Sequence, residues 1–221
     1  MPAQQHMERA ILADLRPTQM TVGLAEVTAK RAQWARLVPE AREKLLQSHW
    51  FPAVRGPSGR FYIVDHHHLG QALSEEAQQD VWVMQLADYS SIASDLFWRV
   101  MEFHHWAHPY DEKGRRCDYS DIPKRLGKLK DDPYRSLAGE VRKAGGYAKD
   151  AAPFTEFLWA DFFWPQFDKK QLAAADGPGL SVEAVSQAVV LARSPAAQFL
   201  PGWSGTAAST EPIAGSLHHK K

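Results

Sequence analysis

Apolar residues recur along the chain with two different periods, and these periods predict where helices and strands lie. Recurrence every three to four residues predicts a helix, whereas a short apolar run bounded by Gly, Pro or other turn residues predicts a strand. The predicted strands cover residues 10–15, 52–55, 60–64 and 81–86. The predicted helices cover residues 22–37, 39–48, 65–76, 91–104, 134–143, 154–163 and 182–192. This order predicts an α/β (α+β) fold with a mostly helical C-terminal half.

The segment 60–86 is predicted to form a strand, a helix and a second strand, an order that favours a parallel strand pair. Asp65 follows the first strand and is expected to cap the helix, which places free backbone N–H groups near His66, His67 and His68. Such groups attract phosphate, and imidazoles add hydrogen bonds, proton transfer or metal ligation. At most two of the three imidazoles can face one ligand, because successive helix residues point about 100° apart. Alternatively, Asp65 is only a cap and the histidines are partly buried polar residues.

The composition of the 221-residue chain fits one compact domain with a helical extension. Apolar residues make up 44% of it, which is enough for a sizeable core and excludes global disorder. Lys plus Arg and Asp plus Glu number 26 each, so there is no global basic field for capturing nucleic acid. A role in nucleic-acid binding would therefore require a local basic patch.

Two features indicate a cytoplasmic protein that does not contact membranes. The single cysteine, Cys117, cannot form an internal disulfide, which fits a reducing compartment. No apolar run approaches the roughly 20 residues that span a bilayer, and residues 1–16 lack the apolar core of a signal peptide. Residues 206–221 are polar and rich in small residues, and are expected to form a mobile tail.

A second cluster of candidate residues runs from His104 to Asp111 and continues to Arg115 and Arg116. His104 and His108 have the spacing of two metal ligands on a helix, but Pro109 disfavours a helix there and no His-Glu-x-x-His pattern is present. Aromatic residues interleaved with basic ones could stack a base and hold phosphates. A solvated loop over an aromatic core explains the same residues equally well.

Two further sets of residues could bind an anion. Arg16 precedes a predicted helix on which Glu26 and Lys30 form an i,i+4 pair, which is either a surface salt bridge or part of a site. Arg135 and Ser136 lie at a predicted helix start where they could meet an anion, although an ordinary cap by Asp132 explains that start equally well. No Walker loop, Gly-x-Ser-x-Gly elbow or Gly-x-Gly-x-x-Gly motif occurs in the chain.

Several motifs resemble the ParB/sulfiredoxin superfamily, and residues 14–164 resemble its ParB-like type 2 family, which is labelled a nuclease family. The motifs that carry this resemblance are Leu15–Gln19, Ile63–Leu73, His108–Asp111, Asp131–Gly139 and Phe154–Phe162. The resemblance implies a mixed-sheet core at 14–90, preceded by a lead-in at 1–13 and followed by a helical extension at 91–205. It also implies that a nucleotide binds at the strand-to-helix turn.

The superfamily motif Asp-Gly-His-His-Arg maps onto this chain with two changes. Asp65, His67 and His68 match it, whereas the Gly position holds His66 and the Arg position holds Leu69. The resemblance therefore implies that the phosphate charge is met by one of three other arginines, Arg115, Arg116 or Arg135. Pro17 and Gln19 match the first conserved box of partition proteins, but no helix-turn-helix DNA reader follows.

Together these patterns favour an enzyme, a hydrolase or phosphotransferase, acting on a nucleotide or another phosphate ester. Asp65, His67, His68 and Glu26 are the expected catalytic residues, and Asp65 and His67 are expected to hold a divalent metal, Mg²⁺, with ATP or another nucleotide as a ligand. Nuclease, nucleotidase and small-molecule phosphotransferase activities stay open. The alternatives are a non-catalytic nucleotide- or DNA-binding module and a His-ligated metal enzyme that does not act on phosphate. The expected ligand-binding residues are Arg16, Gln19, Lys30, His66, His108, Arg115, Arg116, Arg135 and Ser136.

Overall fold

The computed structural model describes residues 6–174 and 179–205, so the predicted tail at 206–221 lies outside the described residues. Strands occupy β1 His6–Ile11, β2 Thr21–Val22, β3 Phe51–Arg55, β4 Phe61–Ile63, β5 Asp80–Asp88 and β6 Lys130–Asp131. Helices occupy α1 Leu24–Ala35, α2 Pro39–Ser48, α3 His67–Glu75, α4 Ser94–Phe103, α5 Pro133–Lys143, α6 Thr155–Phe163, α7 Lys169–Leu172 and α8 Val182–Arg193. The predicted fold class, mixed α/β with a helical C-terminal half, is confirmed.

The main sheet has four strands in the order β1-β5-β3-β4. β5 pairs with β1 in antiparallel and with β3 in parallel orientation, and β3 forms an antiparallel hairpin with β4. The prediction that the strands before and after α3 pair in parallel is wrong, because β3 lies between β4 and β5. The chain thus crosses over from β3 to β5, and both β4 and α3 belong to that crossover.

The prediction of a strand at 10–15 is wrong in its bounds, because the strand lies earlier in the chain. β1 ends at Ile11, and residues 12–14 form one turn of 3-10 helix that buries Leu12 and leads into buried Leu15. Two buried leucines three positions apart match the three-residue period of such a turn, whereas a strand would place them on opposite faces.

Separate apolar cores cover the two faces of the main sheet and the helical half. Val27 of α1 and Leu73 of α3 pack with Ile63 and Val83 against one face. The other face is covered by α4, through residues that include Phe97. α5, α6, α7 and α8 form a further core of their own around Trp159 and other buried residues. None of the helices within 6–174 and 179–205 combines the length and apolar character that membrane spanning requires.

A short parallel ladder joins the half of the molecule that contains the main sheet (the sheet half) to the half that contains α5, α6, α7 and α8 (the helical half). β2 pairs with β6, with Thr21 opposite Lys130, and neither two-residue strand could be recognised from an apolar run. Directly after β2, Gly23 lies against Ser136 of α5 so closely that a Cβ on Gly23 would come within 2.8 Å of the Ser136 backbone nitrogen. Glycine is therefore required here because the two backbones approach closely. Its conformational freedom is not needed, since a φ of −80° suits any residue.

Candidate functional site

A cleft with a volume of about 570 Å³ opens between the sheet half and the helical half. The sheet half contributes the strand-to-helix turn before α3, and the helical half contributes α5, the start of α6 and the loop between them. The lining residues are Gln19, Pro52, Val64, Asp65, His67, His68, His105, Trp106, Arg135, Arg142, Tyr147, residues 149–153, Phe154, Thr155, Glu156 and Phe157.

The strand-to-helix turn has a different cap from the predicted one. α3 begins at His67, and the residue before it, His66, has left-handed backbone angles with φ of 65°. Asp65 Oδ1 accepts a hydrogen bond from the backbone N–H of His66 at 2.6 Å, so its carboxylate closes the turn rather than capping the helix. The prediction of an Asp65 cap is wrong because the left-handed residue shifts the first helical turn one position along the chain.

His67 and His68 form one side of the cleft with Asp65, and these three residues are called the histidine wall. The backbone N–H of Thr18 donates to His67 Nε2 at 3.1 Å, and that of Gly23 donates to His68 Nε2 at 3.0 Å. An N–H donor requires an unprotonated acceptor, so each neutral ring carries its proton on Nδ1. The N–H that each ring can donate to a further partner therefore lies on Nδ1.

Burial keeps both imidazoles neutral. Burial, together with the neighbouring His68, lowers the pKa of His67 to about 3, and burial, together with Arg135, lowers the pKa of His68 to about 3. Coordination of a metal through Nε2 of His67 would break its bond with Thr18. Within the described part of the chain, no three His, Cys, Asp or Glu side chains converge in a way that could hold a metal ion.

The opposite side of the cleft carries Arg135 and Arg142 of α5 and Glu156 of α6, and is called the arginine wall. Glu156 Oε2 lies 2.6 Å from an Nη of Arg135, and its Oε1 lies 3.0 Å from Nε of Arg142. The second contact is close but not aligned as a hydrogen bond, and the buried Nε atoms of both arginines have no hydrogen-bond partner. Arg135 is only 7% exposed, so this wall holds a buried guanidinium with unused donor capacity.

Aromatic rings line the rest of the cleft. The Arg135 guanidinium lies 5.5 Å from the centroid of the Phe157 ring, which orients it by a cation–π contact. His108 lies behind this ring, with centroids 4.1 Å apart, and also stacks on Phe154. Burial, together with Arg135, lowers the pKa of His108 to about 4. Trp106 adds a further ring to the lining.

Of the predicted site residues, Asp65, His67, His68, Gln19 and Arg135 line the cleft. Gln19 is buried and donates through Nε2 to the Thr21 carbonyl at 2.7 Å.

Glu26 lies directly behind the histidine wall, with Oε2 at 3.7 Å from His68 Nε2 and Oε1 at 3.4 Å from Nζ of Lys30. Burial acts to raise the pKa of Glu26, but His68, Arg135 and Lys30 outweigh it, and the net pKa lies below its usual value. Glu26 and Lys30 are therefore neighbours of the site and do not line it.

The other predicted ligand-binding residues lie outside the cleft. His66 packs edge-on against Phe51, with ring centroids 6.0 Å apart, and Ser136 accepts a hydrogen bond from the Ala25 backbone in the junction between the halves. Arg115 forms a bidentate ion pair with Asp111, and Arg116 forms an ion pair with Glu102. Arg16 contacts the Lys124 carbonyl in a separate groove.

Sequence reasoning missed Arg142, Glu156 and Lys149. Arg142 lies seven residues after Arg135, two turns along the same helix, so the spacing alone could have placed both on one face. Glu156 comes from another helix, and no local pattern links it to α5.

A family model described as "Putative ParB-like nuclease" matches residues 9–165, which is more than half of the chain. The chain belongs to this family. The match spans both walls of the cleft, and it confirms the family predicted from the sequence motifs. The description of this ParB-like nuclease family points to a nucleic-acid-related role at the level of the family.

One solved structure covers nearly the whole molecule. The crystal structure of protein Atu1540 from Agrobacterium tumefaciens is 41% identical to this ParB-like protein, with a TM-score of 0.83. The match covers 92% of this chain and 100% of that one. The name of that protein states no activity, and no curated protein matches the chain. The comparisons thus establish the family and the fold.

Proposed function

We propose that the cleft binds a phosphorylated ligand of nucleotide size and that the protein hydrolyses its phosphate ester. The observation that carries this proposal is that His67, His68 and the buried Arg135 line one cavity, with both imidazoles neutral and fixed through Nε2. Guanidinium groups match phosphate oxygens in geometry and charge, and neutral N–H donors add hydrogen bonds without repelling the cations.

The size and lining of the cleft support a nucleotide. Its volume of about 570 Å³ lies within the usual range of roughly 300–1,000 Å³ for small-molecule sites. Phe154 and Trp106, which are only partly buried, offer ring surfaces on which a base can stack. Arg142 and exposed Lys149 add positive charge beside Arg135, while Glu156 neutralises only one of the two guanidiniums that it faces.

In this proposal the two walls have different roles in the reaction. The arginine wall neutralises charge on the phosphoryl group, and the histidine wall orients it through fixed donors. Asp65 is the exposed carboxylate of the turn, and in this proposal it orients the attacking water. His67 and His68 do not transfer protons at neutral pH, because their pKa values of about 3 keep them neutral and their Nε2 atoms are occupied.

The proposal includes no resident metal, because the side chains of the cleft do not form a site for one. The carboxylates in the lining are Asp65, Asp150 and Glu156, and Glu156 is already engaged by two arginines. Mg²⁺ is commonly held by one or two carboxylates together with the phosphates of the substrate. A requirement for Mg²⁺ would therefore mean that the ion enters with the ligand.

The test combines binding and turnover. Thermal shift with mononucleotides, with Mg²⁺ or with a chelator, measures binding, since a ligand of the folded state raises Tm by mass action. Release of phosphate or of nucleoside measures turnover. We expect Arg142→Gln to weaken binding by about tenfold, which corresponds to about 1.4 kcal/mol and to the loss of one charged hydrogen bond.

Asp65→Asn is expected to keep nucleotide binding and to abolish turnover. Arg116→Gln is the matched control for Arg142→Gln, because Arg116 pairs with Glu102 away from the cleft. If no nucleotide raises Tm under any of these conditions, or if Arg142→Gln and Arg116→Gln behave alike, the proposal is wrong.

A second candidate, a non-catalytic nucleotide-binding module, is favoured by the state of the histidines. Both rings are held as neutral donors by backbone N–H groups, a geometry that suits recognition better than proton transfer. This candidate predicts a nucleotide-dependent rise in Tm with no product, and equal binding by the wild type and the Asp65→Asn variant.

A further inference from the structure

A second hollow, the basic groove, lies beside the cleft and has a volume of about 180 Å³. Three cationic side chains line it, Arg16, Arg60 and Lys124, and the lining contains no Asp or Glu. Arg60 and Lys124 are exposed, and neither makes an ion pair with another described residue. The net formal charge of the chain is zero, so this groove is the kind of local basic patch that binding to nucleic acid requires.

Aromatic rings form the wall of the basic groove. Trp98 stacks on Tyr119, with centroids 5.5 Å apart and ring planes 8° apart, and Tyr62 meets Trp98 edge-on. All three rings are only partly buried, so each keeps accessible surface in the groove. Cations that hold phosphates and rings that stack bases are the two components of a surface for single-stranded nucleic acid.

Two chain segments lead from the basic groove to the cleft. The backbones of Arg16 and Tyr62 form a parallel β-bridge, and both residues line the groove. Further along the same segments, Gln19 and Val64 line the cleft. These steps of three and two residues span at most about 7–10 Å, which corresponds to two or three stacked nucleotides at about 3.4 Å each.

We infer that the basic groove binds the backbone of a single-stranded nucleic acid whose terminal nucleotide occupies the cleft. This inference rests on the proposed function and narrows its substrate from any phosphate ester to the end of a strand. A mononucleotide would occupy the cleft alone, whereas an oligonucleotide would engage both sites. Length-dependent affinity is therefore the property that distinguishes this substrate.

The test uses a fluorescein-labelled twelve-residue oligothymidylate in anisotropy titrations with a chelator present. The double variant Arg60→Glu/Lys124→Glu is expected to bind it at least tenfold more weakly. Its salt dependence should also decrease by about 1.4 in the slope of log K against log salt, which corresponds to about 0.7 for each lost phosphate contact. The thermal shift with a mononucleotide should stay unchanged, because neither residue lines the cleft.

The matched control is Arg36→Glu/Lys44→Glu, which makes the same change of charge at two exposed residues without ion pairs in the described chain. We expect this control to change affinity less than twofold. An equal loss of oligonucleotide affinity in the two double variants would overturn the inference. Displacement of the oligonucleotide by decaglutamate at equal concentration would also overturn it. If the groove variant alone weakens oligonucleotide binding while no mononucleotide shifts Tm, the groove stands and the cleft proposal fails.

Discussion

The two walls of the cleft are built on opposite principles. The two imidazoles of the histidine wall are neutral, and each is fixed by a backbone N–H that donates to Nε2. The arginine wall is charged, and Glu156 is shared between two guanidiniums whose Nε atoms lack hydrogen-bond partners. Imidazoles that are already fixed by the backbone can orient a ligand, whereas guanidiniums with unused donors can exchange the Glu156 carboxylate for an incoming phosphate. The following predictions test this difference.

The largest effect is expected from Arg135→Met. The change removes the shorter and more buried of the two ion pairs of Glu156 and leaves only its contact with Arg142, so we expect the free energy of unfolding to fall by about 3 kcal/mol. Urea denaturation measures this change. The double variant Arg135→Met/Glu156→Leu should recover most of the loss, and strict additivity of the two single changes would show that the pair is not coupled.

A smaller effect is expected from pH acting on the histidine wall. Burial sets the folded-state pKa of His68 at about 3, below its usual 6.5, so the unfolded chain takes up a proton first as pH falls. The stability that this residue contributes is complete above pH 6.5 and is lost as pH falls toward 3. Between pH 7 and 4.5 the loss is about 2.5 kcal/mol for one such histidine.

The glutamine variant His68→Gln isolates this contribution, because an amide oxygen can still accept from the Gly23 N–H. Stability curves should show a weaker loss in this variant than in the wild type between pH 7 and 4.5. Burial raises the pKa of Asp132 to about 6, so this residue affects the pH dependence of stability in the opposite direction. It is present in both proteins and does not affect their comparison. His104→Gln, at an exposed position, serves as the control, and a pH dependence equal to that of His68→Gln would contradict the prediction.

The smallest effect is expected from Glu156→Gln. Removing the carboxylate frees both guanidiniums for an anion, so affinity for inorganic phosphate or a nucleotide should rise by about fivefold, or roughly 1 kcal/mol. Isothermal titration calorimetry measures the change. The control is Glu140→Gln, which removes a carboxylate paired with Lys143 outside the cleft. Weaker binding by Glu156→Gln would mean that this carboxylate orients the arginines and does not compete with the ligand.

The sequence predicted the histidine wall better than the arginine wall, for a physical reason. The turn after β4 combines a buried strand, Asp65 and the histidines within a few residues, so local spacing reveals it. Arg142 and Glu156 meet only because α5 packs on α6, and that contact leaves no periodic pattern. The pairing of β5 with β3 was likewise hidden, since the sequence order of strands does not reveal which one lies between two others.

The junction between the halves also determines when the cleft can exist. The Ala25 backbone N–H meets Ser136 Oγ across 111 residues of sequence, and β2 gains its partner β6 only shortly before α5 begins. A ribosome synthesises the chain from the N-terminus onward at about 5–20 residues per second. The histidines are therefore synthesised several seconds before the arginines, and until the arginines emerge the nascent chain has no complete anion site.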